Sequence, residues 1–455
     1  GQQGEQDAGG RFLSLLIDQL LTRNEQVPLI SRLERVVVTG AEIVFEDRQK
    51  AVRWRSPNAE VVLARDEQGV LRDAAIEIEA ENQRALLNVR ALFSGEARSF
   101  AVSVNFDGVR PGLLAALDPA VLQPLAQVDL AFGGTVDARV SSRGKIENLT
   151  VNVASGPGTI GTLGLFPEAR TIRGSTLRGE VNIDNGTLRV DSLAIDFGET
   201  KIDMKAEGAI AGGNVSFAAA VAGDRVATID LAKFWPPSMS PGGRAWTLGN
   251  VENGQANNLK VKFDFTGDLN RPDSMRIGNV SGTADFSDVT VHYLRPMPPV
   301  TGVAGTIALS DSAIRFDVKS GGLGDIAVTN AAITLSNLDQ PTNHRASIDV
   351  TANGPLTSKL KLLEHPKVGL QRELAIKHDR VSGQAATRVL LELPLVDTLT
   401  VTQIEYAASA TATGLSIKDV AANVDLTDAS MTMQLNGREM DIRGKGRIAG
   451  QPADL

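Results

Sequence analysis

Between residues 280 and 338 segments of alternating apolar and polar side chains recur between turn-formers, and no other feature constrains the fold as much. Ile314, Phe316 and Val318 are apolar, while Arg315, Asp317 and Lys319 between them are polar. Ile333 and Leu335 alternate with Thr334 and Ser336 in the same way. A side-chain period of two is that of a strand with one apolar and one wet face. Turn-forming residues punctuate the stretch at Asp311-Ser312, Gly321-Gly322, and Asn337 with Asp339. The pattern therefore predicts a meander of short antiparallel strands.

The same pattern fills most of the chain. Residues 36–39, 42–45 and 52–54 read as short strands, with turns at Asp47 and at Pro57-Asn58. Residues 187–197 and 201–210 alternate strongly. Helical spacing of Phe12, Leu15, Leu16 and Leu20 predicts one helix over residues 11–22, and prolines 111 and 119 open a helical pair over 111–125. A second amphipathic interruption covers residues 359–372. The expected organisation is a leader and amphipathic helix (1–30), a first β module ending in the helical pair (31–127), and a second β module (128–233). A tryptophan–proline loop with a central β module (234–358) and a helical interruption with a last β module (359–455) complete it. In the loop, Trp235, Pro236, Pro237 and Trp246 are expected to form a packed corner that caps a sheet edge, with a partner-binding or gating element as the alternative and one helical turn over 243–248, because three prolines cannot sit in a central strand. Asn148, Asn185, Asn214 and Asn279 open glycosylation-type triplets and read as plain turn or strand residues.

Chemistry is hard to place on such a chain. There is no cysteine, which removes disulfides, thiolate catalysis and Cys-ligated zinc. The four histidines, His292, His344, His365 and His378, show no i, i+4 pair and no H-E-x-x-H helix. No G-x-S-x-G elbow occurs. Glu77 with Glu79 and Asp196 with Glu199 read as wet strand faces. Gly133-Gly134 and Gly212-Gly213 read as turns, since no Lys-Ser/Thr follows them. The expectation is a protein that is not an enzyme and needs no metal or cofactor. A net charge of −8 argues against a nucleic-acid partner but leaves a membrane open. The longest apolar run, residues 12–21, contains Asp18 and is half the roughly 20 residues that a membrane-crossing helix needs. The chain opens without Met and ends soon after a strand-like segment, which predicts a piece of a longer protein with any anchor outside it.

What remains is the apolar face. Its candidate lipid-binding residues are Leu193, Ile195, Phe197, Phe263, Phe265, Phe286, Val291, Ile314, Phe316, Val318, Ile333 and Leu335. Pattern alone favours the core of a closed sandwich. The alternative is a long curved sheet whose inner face stays open; some 25–30 strands at about 4.8 Å each would make a groove on the order of 120–140 Å. A bare apolar stripe that long needs a ligand, and acyl chains ask only for apolar surface. A glycan-acting β-helix enzyme is a third reading, which the scarcity of aromatic platforms disfavours.

Four stretches carry a resemblance. Residues 234–251 (W-P-P, then G-G-R-A-W), followed by 280–322 with V-S-G-T-A-D-F-S-D-V-T-V-H-Y-L and P-P-V-T-G-V-A-G-T-I, are similar to the central region of the YhdP-like branch of the AsmA-like envelope proteins. Residues 33–71, through V-V-V-T-G-A-E-I-V-F-E-D, resemble the family's earlier part, and residues 383–395, ending in L-E-L-P-L, its later repeat. The resemblance implies a mostly β fold, an elongated, curved antiparallel sheet forming a groove, with a few short helices. It also implies a bridge-like conduit for phospholipid in the periplasm of a Gram-negative bacterium. The parent protein would be anchored in the inner membrane by parts outside this chain, with envelope proteins as possible partners. No catalytic residues come with the family.

Overall fold

The computed structural model describes residues 34–47, 52–66, 69–80, 83–94, 99–112, 126–141, 145–162, 168–235, 241–268, 271–366, 368, 377–396, 399–421, 423–437 and 439–455. The helix expected over 11–22, and all but the first two residues of the helical pair expected over 111–125, lie outside them. Two compact units divide the chain, Gly1–Ala220 with Phe265–Arg276, and Val221–Asp264 with Ile277–Leu455.

The first unit contains β1 (Arg35–Asp47), β2 (Val52–Asp66), β3 (Gly69–Ala80), β4 (Gln83–Ser94), β5 (Ser99–Val109), β6 (Val128–Asp129), β7 (Phe132–Ser141) and β8 (Ile146–Ser155). It continues through β9 (Gly158–Ile160), β10 (Arg170–Ile172), β11 (Gly174–Asn182), β12 (Thr187–Asp196) and β13 (Lys201–Ala211). Three short strands, β6, β9 and β10, make a small sheet of their own. The others pair antiparallel, each with its neighbour along the chain. Turn chemistry sets the hairpins. Between β11 and β12 the Asn182 side chain accepts from the Asn185 N–H at 3.1 Å, and Gly186 supplies φ 67°.

β14 (Asn214–Ala227) begins in the first unit and ends in the second. There follow α1 (Leu231–Phe234), α2 (Pro241–Asn250), β15 (Val251–Glu252), β16 (Gln255–Asp268), β17 (Arg271–Val291), β18 (Val300–Ser310), β19 (Ala313–Leu323), β20 (Ile326–Ser336) and β21 (Arg345–Pro355). After α3 (Leu356–Leu363) the chain ends in β22 (Val381–Pro394), β23 (Glu405–Ala421), β24 (Val424–Asn436), β25 (Glu439–Ile448) and β26 (Gln451–Asp454). The long strands belong to one antiparallel sheet of 23 strands that does not close into a barrel. The expected mostly β fold with few short helices is thus present.

The strands are longer than the alternation predicted. Residues 36–39 and 42–45 are one strand, β1, because Gly40, at φ 67°, takes up a bulge instead of ending the ladder. Pro57-Asn58 is likewise an irregularity inside β2, between the pairs of Arg55 and Ala59 with β3. Gly133-Gly134 and Gly321-Gly322 lie inside β7 and β19 and are not turns. A Cβ on Gly134 would run into the Asn152 carbonyl of the neighbouring strand, so this glycine serves close approach. α2 has ten residues instead of a single turn. Pro241 heads it, where a missing N–H costs nothing, and Arg244 holds it by donating to the carbonyls of Trp235 (3.0 Å) and Ala232 (3.1 Å).

Candidate functional site on the apolar sheet faces

Register turns the alternation into rows. Residues directly paired across antiparallel strands share a face, so each ladder shows which side chains line up. In the second unit one row runs Ala284, Ile307, Phe316, Ile333, Ile348 and Leu391. The next row runs Gly305, Val318, Ala331, Val350, Val389, Ala408 and Leu435. The opposite face carries the row Arg315, Thr334, Ser347 and Glu392. It is held by ion pairs such as Arg388 with Asp349 at 2.7 Å and Arg315 with Asp317 at 2.7 Å. The Arg388 guanidinium, through its hydrogen bond, holds the Asp349 carboxyl below its usual range.

The first unit repeats the design with other residues. One row there runs Val61, Ala74, Val89, Val104, Val136 and Val151. Another runs Ile76, Leu87, Phe106, Gly134, Val153, Leu177, Leu193 and Met204.

Among the described residues, burial separates the fully covered parts of the face from the half-buried ones. α3 lies over the ends of β22, β23 and β24. Beneath its Leu356 and Leu360, Ala385, Leu415, Leu426 and Ala429 fall to 0–2% exposure. The helix is fastened by the Thr357 hydroxyl donating to the Val381 carbonyl at 2.6 Å and by the Ser358 hydroxyl donating to Asp325 at 2.8 Å. Its Lys359 ammonium reaches down to the carbonyls of Ala352 and Ala385 and the Thr387 hydroxyl, at 2.7–2.8 Å. Burial lowers the Lys359 pKa to about 8. A second covered region packs Val289, Val303, Val318 and Ala331 with Phe286, Val291 and Val300. Away from these regions, Ile307, Phe316, Ile333, Ile348 and Leu391 stay half-buried.

The candidate residues are therefore placed unequally. Ile314, Phe316, Ile333 and Leu335 sit together on half-buried rungs of β19 and β20. Phe286, Val291 and Val318 belong to the second covered region. Leu193 and Ile195 lie on the apolar face of β12, opposite Met204 and Ile202, and Phe197 follows the strand's end. Phe263 and Phe265 are in β16, and Phe265 stacks on Phe217 with ring centroids 4.7 Å apart. In the tryptophan loop Trp235 is half-buried, but Trp246 is 50% exposed and so is not packed into a corner. Pro236 and Pro237 lie outside the described residues. Sequence reasoning missed Ile307, Ile348, Leu391 and the valine row of the first unit. Their signal was the same alternation, read across strands from the turn positions.

No helix among the described residues is long and apolar enough to cross a membrane. A family model described as YhdP protein matches residues 29–455. No curated protein matches the chain significantly.

Proposed function

Because the chain belongs to the YhdP family of AsmA-like proteins, we propose that its apolar sheet faces hold phospholipid acyl chains and conduct lipid between the inner and outer membranes of a Gram-negative envelope. The observation that carries this reading is the contrast in burial. Where α3 covers the sheet, side chains reach 0–2% exposure, whereas the row of Ile307, Phe316 and Ile333 stays only half-buried. Covering such a row with hydrocarbon yields about 0.8 kcal/mol per buried CH₂. An acyl chain satisfies it without any hydrogen-bond partner, and the headgroup stays in water. The rungs repeat every ~4.8 Å with similar aliphatic side chains, so a chain can pass from one to the next without a deep trap. In this reading the protein performs no chemistry and uses no cofactor. It works in the periplasm, attached to the inner membrane through other parts of its parent.

The test is a photo-crosslinking amino acid placed at Phe316 or Ile333 and, as a control, at Thr334 on the opposite face. Mass spectrometry of protein from cells should find phospholipid joined at the first two positions and not at the third. Equal yields on both faces, or none on either, would remove the reading. The competing reading, an envelope structural protein with a closed core and no transport, predicts no lipid adduct and a chain that unfolds when Phe316 becomes Asp.

A further inference from the structure

Two segments of the second unit meet beside β15 and leave large side chains outside. The His292 N–H donates to the Asn250 carbonyl at 2.8 Å, and Arg295 Nη2 donates to the Gly249 carbonyl at 3.1 Å. These bonds pin the loop after β17 against the last turn of α2. The Asn250 side chain in turn donates to the Trp246 carbonyl at 3.0 Å, so Trp246 stands one turn from the junction. Trp246 is 50% exposed, Leu248 36%, and Tyr293 and Leu294 42% each. Burial nevertheless raises the Tyr293 pKa, so its ring rests on protein while one side faces out.

Charge separates this patch from the rest of the chain. Residues 231–235, 241–251 and 292–299 contain Lys233, Arg244 and Arg295 and no Asp or Glu, in a chain of net charge −8. The two flanking acids pair with cations of the patch itself, which leaves three positive against two negative charges, a net of +1. Glu252 lies 3.2 Å from His292 and 3.5 Å from Arg295, and Asp230 lies 2.7 Å from Lys233. Trp and Tyr join an apolar body to a polar tip, the combination that settles at the headgroup level of a bilayer. Nearby Lys and Arg favour anionic lipid. The exposed apolar area of these four side chains is on the order of a few hundred Å², short of the ~800 Å² that each side of a standard protein interface buries. A bilayer needs no such area, since a few inserted side chains suffice.

We propose that this patch docks the protein on the surface of an anionic lipid bilayer, with Trp246 and Tyr293 among the headgroups. The docking is independent of lipid held on the sheet.

The test uses the whole 455-residue chain in flotation with vesicles of phosphatidylcholine alone or mixed with phosphatidylglycerol. The chain should float with the mixed vesicles, less so at high salt, and the double variant Trp246→Ala, Tyr293→Ala should partition about tenfold less. Phospholipid carried by the sheet, read by native mass spectrometry, should not change between the two proteins. If the double variant does not fold, quenching of tryptophan fluorescence by brominated lipid, compared between the parent and Trp246→Phe, gives the same reading. Failure of the parent to float with anionic vesicles, equal flotation of the double variant, or quenching unchanged in Trp246→Phe would overturn the proposal. So would a self-association of the parent, without vesicles bound, that the double variant abolishes.

Discussion

Phe316 in β19 lies directly across from Ile333 in β20, and both side chains remain half-buried on the same face. A side chain that is only half-buried has less to lose. Phe316→Ala should therefore cost about 1–2 kcal/mol, below the ~3–5 kcal/mol typical of a closed core. Phe316→Asp should still fold, while losing bound lipid. Denaturant titration together with lipid extraction separates these outcomes from the unfolding that a closed sandwich demands.

Leu415 offers the opposite case. It is 2% exposed in the cluster against which Leu356 and Leu360 of α3 pack. Leu415→Ala should cost about 2–5 kcal/mol, because the cavity left is walled by helix and sheet. Calorimetric melting of this variant beside Phe316→Ala should place Leu415→Ala clearly lower.

Gly305 leaves space for a ring. An added Cβ would sit 2.9 Å from Phe286 Cζ and 2.9 Å from Val318 Cα, and would meet the Asp317 carbonyl. Gly305→Ala should thus push Phe286 from its place and destabilise the second unit by about 1–3 kcal/mol. Loss of protection of β17–β19 in hydrogen exchange, with β23–β25 unaffected, is the expected readout.

Lys359 makes stability depend on alkaline pH. Its pKa is about 8 in the fold against 10.5 for the free side chain. Between those values the unfolded chain binds more protons than the folded one, so stability rises with pH through that window and is flat below it. The side chain is only half-buried, so solvent screening limits the gain to on the order of 1 kcal/mol. Lys359→Met should lack this rise. Parallel melts of the two proteins between pH 7.5 and about 10.5 isolate it from the other titrating groups.

Much of this was legible in the residues, for local reasons. The alternation of Ile314, Phe316 and Val318 with Arg315 and Asp317 needs only neighbours to be read, and β19 and its turn at Asp311-Ser312 lie where it puts them. Glycine was ambiguous because it serves two ends. Gly321-Gly322 looks like a turn, yet it lies within β19, and the reversal falls at Gly324, whose φ is 61°. The Gly242-Gly243 pair likewise concealed the length of α2. The sheet faces themselves were less legible. Whether Val89 stands beside Val104 depends on register across a turn, and whether a row is covered depends on where α3 lands. Neither is written in the period of two.

Almost every long strand pairs with the one just before it in the chain, so each hairpin asks nothing of distant sequence. A duplicated or deleted hairpin of matching register would disturb only its two seams and leave the remaining rungs as they were. Evolution can thus retune how far such a sheet reaches by counting hairpins, with no new core to invent.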